Sequence, residues 1–509
     1  MTDKHAAPPP ASFSMLLTVD PPASTAPTSA NAPLSTGPYV DTGVYRYERN
    51  RKSHEFFSPG PHSKERTATA PSAVFNLVST IIGGGILSLP YAFDKCGLVL
   101  GFLFMVISAA ASNFSLYVIV SCSRRGGATT YEEVVRKALG PKAGLVAVTL
   151  LVMLTFLTMV AYVILIKDLV GSLSEHFLFA RAVTVVEKNV LTIICIALVS
   201  PVLFAKSMDA LRFTSIFSLV SVLVLAIAIT IRAVYSIGNN DAIDTLRPDP
   251  IEIKLFPSDW RDPVYAFPII SVSFLCHFNV LPVYRELHKP TRQRLKKIVS
   301  ATMVSTWVFY MIVGTMGYLF AYQLPGGVKD DILNNFDGSD ALVNVGRLGL
   351  LVTIMLSMPL IMQPCRLNIL RLANYVRGFA KLYRSTSLNG ENIRLLTTPT
   401  AAATPRDAVR RGPQASRTAK DAIHVTLTVV LISGAVALAL VLPGVAVVWN
   451  MMGSTVGILI SYVLPCISYV AIRKKKPTSD ARKLTAWGVF LASSVMCVAC
   501  TFQAFASLV

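Results

Sequence analysis

Apolar runs long enough to cross a lipid bilayer follow one another from Pro71 onward, and no other feature of this chain limits its fold as severely. A spanning helix needs about 20 mostly apolar residues. Eleven segments meet that requirement: 72–94, 97–121, 144–168, 189–205, 212–235, 263–284, 298–322, 342–365, 423–442, 445–472 and 485–508. In hydrocarbon, every backbone polar group must find a partner within its own helix or in a closed barrel. The expected fold class is therefore an all-α polytopic membrane protein with eleven transmembrane helices. The fourth segment is short and carries Pro201, and the sixth is interrupted by Pro263, Pro268 and Pro282. Those two are the least regular.

Composition narrows the function. The 509 residues are 53% hydrophobic and 15% charged, against about 25% charged for soluble domains. An ordinary soluble enzyme, a disordered regulator and a small disulfide-framed module are all excluded. The formal net charge of +19 would suggest nucleic acid in a soluble protein, but its distribution argues otherwise. With a cytoplasmic N-terminus, about 37 of the 47 Lys and Arg residues fall on the inner side and about 10 on the outer, as the positive-inside rule requires. Arg124-Arg125 and Arg473 to Lys476 then lie inside, and Asp330, Asp331, Asp337 and Asp340 outside. The basic balance is matched to a bilayer, not to nucleic acid.

Outside the spans, residues 1–70 read as a disordered cytoplasmic tail, rich in Pro, Ser, Thr and Ala, that cannot bury a core. It has no secretory-signal pattern, so the first span is expected to act as the targeting signal. Residues 71–508 form the transmembrane domain, with 367–420 a flexible cytoplasmic loop. Tyr131 to Leu139 reads as a short amphipathic helix capped by Thr129 or Thr130. Cys497 and Cys500 form a CxxC inside an apolar run, with no second pair and no nearby His; they read as helix residues. No disulfide framework, metal site or cofactor is expected. No span carries a paired Asp, a HExxH or a GxSxG, so an enzyme is not expected either.

Two spans are built to break. Three consecutive glycines, Gly83, Gly84 and Gly85, sit in the middle of the first, each lowering helix preference by about 1 kcal/mol relative to Ala. Two readings stand: close helix packing, or an unwound stretch facing a ligand. The sixth span runs from Pro268 through Ser271, Ser273, Phe274, His277 and Asn279 to Pro282, placing polar groups and two prolines at mid-membrane depth. Interrupted helices at matching places in two halves point to a transporter's binding site. The first and sixth spans are five apart, and an odd separation inverts the second unit in the membrane. A five-plus-five inverted repeat with one extra helix follows. Unwinding frees N–H groups that can hold a carboxylate and carbonyls that can hold an ammonium, a combination suited to a zwitterionic amino acid.

The strings Val74-Phe75-Asn76-Leu77 through Gly83-Gly84-Gly85-Ile86-Leu87-Ser88-Leu89-Pro90, Phe274-Leu275-Cys276-His277 and Val280-Leu281-Pro282-Val283-Tyr284 resemble the first and sixth helices of the amino acid/auxin permease family. The likeness is greatest to its sodium-coupled neutral amino acid branch and to protozoan and plant relatives. This resemblance implies a leucine-transporter type of fold and secondary transport of L-amino acids by alternating access. It implies that Gly83, Gly84 and Gly85 meet the substrate carboxylate, and that Ser271 to Phe274, including Ser273, form the facing break. Tyr162 is placed beside the carboxylate, on one helix face with Thr155 and Thr158. Ser79 and Thr80 complete the first half of the site. Asn450, Gly453, Ser454, Gly457 and Ser461 form a stripe that either packs or lines the pathway.

Proton-coupled or ion-independent transport is expected, with sodium coupling the alternative. Ser79 replaces the asparagine that helps hold sodium in the family's sodium-coupled branch, while Thr353 and Ser357 can supply further hydroxyls. His277 is either a proton-sensitive group or a neutral structural imidazole. An amino-acid-sensing receptor, signalling through the tail and the 367–420 loop, is the alternative from another class. Residence in the plasma membrane is favoured over a lysosome or vacuole.

Overall fold

The computed structural model describes residues 68–204, 214–238, 253–288, 290–388, 417–474, 477 and 479–506. Of the tail expected over 1–70, only Ala68 to Ala70 fall among these. The first span is two pieces, α1 (Ala70–Ile81) and α2 (Leu89–Cys96), joined by a 3₁₀ turn (Gly84–Ser88). The axis bends by 52° between them. Then come α3 (Leu98–Gly126), the short α4 (Tyr131–Leu139), α5 (Pro141–Ser174), α6 (Val185–Leu203) and α7 (Thr214–Gly238). The sixth span is also split, into α8 (Arg261–Ser273) and α9 (His277–Glu286). After it follow α10 (Arg292–Ala321), α11 (Ala341–Leu388), α12 (Arg417–Val441), α13 (Val445–Ile472) and α14 (Ala481–Ala506). With the bent first pair counted as one, eleven described segments have the length and apolarity of a membrane span, as expected.

Burial orders them from centre to rim. The α8–α9 span is 78% buried over its apolar window and α13 is 72% buried, whereas α6 and α14 are each only 17% buried. On those outer helices Leu198, Val498 and Phe502 are more than two-thirds exposed, the pattern of a surface turned to lipid. Near the centre, Phe93, Phe274, Tyr310 and Tyr318 are fully buried.

Several elements depart from the sequence reading. Pro201 lies inside α6 without breaking it. Helix α11 runs to Leu388, past the end expected at 365, and Arg366 explains part of the extension. Its guanidinium is buried and donates to the Leu203 carbonyl (2.9 Å) and to Thr428 Oγ1 (2.7 Å), tying α11 to the end of α6 and to α12. The rest of the loop expected over 367–420 lies outside the described residues from 389 to 416. The short helix α4 forms where expected, with Thr130 at its N-cap. The Thr130 side chain makes no cap bond; instead Glu133 accepts from Thr129 N (2.8 Å) and Thr129 Oγ1 (3.1 Å). Its other face is anchored, with Tyr131 Oη donating to the Ile460 carbonyl (2.7 Å) and Glu132 paired with Arg371 (2.7 Å).

Candidate functional site: a cavity between two broken spans

The first break follows from its residues. Helix α1 ends where Ile82 turns extended (φ −75°, ψ 90°), and Gly83 follows at φ −134°, ψ −155°. The 3₁₀ turn that starts at Gly84 has no side-chain cap, so its leading N–H groups have no helical partner. Space demands glycine most at Gly84: a Cβ there would run into the buried Leu165 side chain. At Gly85 a Cβ would lie 3.3 Å from Ser273 Oγ, and at Gly83 an ordinary 3.7 Å from Tyr162 Oη. Both readings of the glycines therefore hold at once: the chain unwinds, and one of the three also buys close packing.

The second break has another origin and another position. Ser271 and Ser273 stay helical, and the chain opens only at Phe274 to Cys276, later than the Ser271–Phe274 stretch expected. Pro268 sits inside α8 rather than at the break. Its carbonyl instead occupies the space that Gly453 leaves by having no side chain. Pro282, within α9, lacks the N–H that would bond the Phe278 carbonyl one turn back.

Between the breaks lies a cavity of about 230 Å³. Among the sequence-derived candidates, Ser79, Thr80, Gly83, Gly84, Gly85, Tyr162, Ser273 and Ser357 line it, as do Thr155 and Thr158. Much of this polar wall is already engaged. Ser79 and Thr80 hydroxyls turn back onto the Asn76 carbonyl (3.1 and 2.8 Å), and Thr158 onto Leu154 (2.7 Å).

Five candidates lie elsewhere. Ser271 donates to Tyr462 Oη at 3.2 Å, on the α13 side. Phe274 is fully buried with its ring edge-on to Tyr310, 5.3 Å between centroids. Asn450 donates through Nδ2 to the Tyr265 carbonyl (2.6 Å). Thr353 is buried and its hydroxyl has no partner among the described residues. His277 is fully buried, its Nε2 2.7 Å from Ser115 Oγ. The helix phase explains the misplacements. Ser271 lies two residues before Ser273, about 200° around α8, so it meets Tyr462 while Ser273 faces the cavity, and only packing reveals which of the two does so.

The wall residues missed from sequence are Asn279, Phe278, Val272, Leu275, Trp449 and Met452 among others. Asn279 donates through Nδ2 to Thr80 Oγ1 (3.3 Å), joining the two broken spans across the cavity edge. Trp449 and Met452, three residues apart and so on one helix face, take the place assigned to Asn450; beyond them α13 widens into π-helical turns over Met452–Gly457 and Leu459–Val463. Such turns add residues per revolution and rotate the helix face. Cys497 and Cys500 lie on α14, as expected; Cys497 Sγ faces the Ser454 carbonyl at 3.2 Å.

Known proteins bear on this geometry. A family model described as transmembrane amino acid transporter protein matches residues 66–507. The vacuolar amino acid transporter 5 of Schizosaccharomyces pombe is 26% identical over 397 residues, covering 77% of this chain and 82% of that one. The sodium-coupled neutral amino acid symporter 2 of Danio rerio is 22% identical over 459 residues, covering 86% and 81%. Among solved structures, MhsT in complex with L-phenylalanine superposes with a TM-score of 0.51 at 12% identity, covering 87% of this chain and all (100%) of that one. A substrate-bound sodium-coupled sialic acid symporter gives 0.50 at 14%, covering 91% and 94%. These likenesses confirm the leucine-transporter type of fold. The match across nearly the whole membrane domain identifies the chain as a multi-pass member of the transmembrane amino acid transporter family.

Proposed function

We propose that this chain carries neutral L-amino acids across a membrane by alternating access, with the cavity between the two broken spans as the substrate site. The observation that carries the reading is the cavity's lining, which among the described residues is hydroxyls, one amide, backbone and apolar side chains, with no Asp, Glu, Lys or Arg. An unpaired charge enclosed there would lose its hydration without compensation, so a cationic or anionic side chain is disfavoured. The α-carboxylate is met by the uncapped N–H groups at Gly83 to Gly85 and by Tyr162. The ammonium is met by backbone carbonyls and the hydroxyl wall, and the substrate side chain lies toward Val272, Phe278, Trp449 and Met452.

For coupling we favour a proton or no ion. Ser79 lines the cavity but Thr353 does not, which weakens a sodium site built on both. Sodium symport is the second reading, favoured by the name of the zebrafish relative. The fission-yeast relative is named for a vacuole; residence in the plasma membrane is our reading, and the charge distribution favours an inward N-terminus.

Uptake of radiolabelled amino acids into proteoliposomes, with and without sodium and at two pH values, tests all of this. Uptake of neutral amino acids, competed poorly by Lys, Arg, Asp and Glu, is the expected result. Absence of uptake for every proteinogenic amino acid from correctly inserted protein would overturn the transport reading, and preferential uptake of a charged one would overturn the selectivity.

A further inference from the structure

One fully buried hydroxyl near the cavity belongs to neither broken span and yet serves both. Tyr310, on α10, donates to the Ile81 carbonyl at 2.7 Å and reaches the Ser273 carbonyl at 3.0 Å. Ile81 is the last residue of α1, and Ser273 the last of α8. The two half-helices that flank the cavity thus end on the same phenolic oxygen. The Tyr310 ring also meets Phe274, the first residue of the second break, edge-on.

Helix C-termini carry partial negative charge, so two of them ending at one point repel unless a positive group stands between. In a fully buried setting no solvent can take that place, and a carbonyl left without a donor is costly. The Tyr310 O–H is a donor within reach of both ends. Its placement also fixes what lies just beyond each end, because Gly85 and Ser273 approach so closely that a Cβ on Gly85 would come within 3.3 Å of Ser273 Oγ.

We propose that Tyr310 is a positioning residue for the amino acid site: its hydroxyl pins the ends of α1 and α8 together and so sets the spacing between Gly83–Gly85 and Ser273 across the cavity. The substrate role of this cavity rests on the transport reading above; the pin itself does not. Without the pin, both half-helix ends sample other separations, and only part of the population is ready to bind. Apparent affinity then falls in proportion to that ready fraction. At saturating substrate the bound molecule itself spans the two breaks, so the maximal rate is retained.

The experiment has two arms on full-length protein, wild type beside Tyr310→Phe and Thr306→Val. Thr306 lies one turn away on α10, buried, with no hydrogen-bond partner for its hydroxyl among the described residues, and controls for loss of any buried hydroxyl. In the first arm, amide hydrogen exchange is measured without substrate across residues 82–88 and 274–279. Y310F is expected to exchange faster in both stretches together and T306V in neither. A rise in one stretch only, in neither, or equally in T306V overturns the pin. In the second arm, Y310F is expected to raise the KM for uptake about ten-fold while the maximal rate per inserted molecule changes less than about two-fold. A KM within about three-fold of wild type, or a maximal rate that falls as far as KM rises, overturns the positioning role. If wild type takes up no amino acid, the transport reading fails and the exchange arm alone decides the pin. Should Y310F not accumulate, Tyr310→Met, which fills the site but carries no donor, takes its place; a rise in both stretches supports the pin, and a rise in one or in neither overturns it.

Discussion

The two broken spans reach the same cavity by different means. The first is opened by residues with nothing attached to the backbone: Gly83 to Gly85 leave the chain bare, and all three line the cavity. The second holds no glycine at its break; it opens at Phe274, Leu275 and Cys276, and only Leu275 of these faces the cavity. Phe274 and Cys276 are sealed in the core. The first break is therefore the one shaped to present backbone to a ligand. The second supplies side chains, Val272, Ser273, Phe278 and Asn279, on the two half-helices that flank its opening. A substrate held between them would be gripped by main chain on one side and sorted by side chains on the other.

Substitutions can separate these roles. The largest effect is expected from Gly84→Ala, whose new methyl collides with Leu165; overpacking of this kind costs about 1–3 kcal/mol. Uptake should fall at least about ten-fold, with loss of thermal stability in detergent. If G84A transports normally, the first break has slack and the contrast between the two breaks is lost. Next is Tyr162→Phe, which removes the hydroxyl beside Gly83. Loss of a hydrogen bond to a carboxylate is worth about 1.5–3 kcal/mol, so KM should rise about ten-fold or more. An unchanged KM would move the carboxylate away from the first break.

A pH effect belongs to the loop that packs against the first break, through the turn at Ile332–Asn335. Asp331 is fully buried beside Asp168, Asp330 and Arg347, and burial first, then the Asp168 charge, push its carboxyl well above the usual range. An acid whose pKa is raised by folding contributes stability below its unfolded value, about 3.9, and that contribution is lost as pH rises through the raised value. Asp331→Asn should therefore keep the cap to Leu333 N and flatten the decline in melting temperature as pH rises above about 3.9. A decline as steep as in wild type would assign it to another group. The smallest effect is expected from Gly83→Ala, where a methyl has room and φ is ordinary; uptake should stay within about two-fold of wild type. A severe loss there would mean that bareness itself, not space, is required at this position.

Much of this was legible before any coordinates. The eleven spans follow from apolar length, and the break at Gly83–Gly85 from the low helix preference of glycine. The short helix at Tyr131–Leu139 follows from its amphipathic pattern. Half of the site did not follow. Prolines marked the sixth span as irregular, but Pro268 turned out to feed the gap at Gly453 while the chain opened six residues later. Asn450 was assigned to the site, but it lies about 100° around α13 from Trp449, which lines the cavity, and its amide donates to the Tyr265 carbonyl instead. Nothing local in the seventh span singles out Tyr310, because its partners lie 229 and 37 residues away in sequence.

The sequence alone determined that the chain must cross a bilayer many times and where its first span must uncoil. Those outcomes depend on transfer of apolar length into lipid and on the backbone entropy of glycine, both local properties. Only the tertiary structure decided which hydroxyls face the cavity, which are buried against neighbouring helices, and which single donor serves two distant helix ends. Such choices depend on helix rotation and tilt, fixed by side chains packing across the bundle, and no short stretch of sequence carries that information.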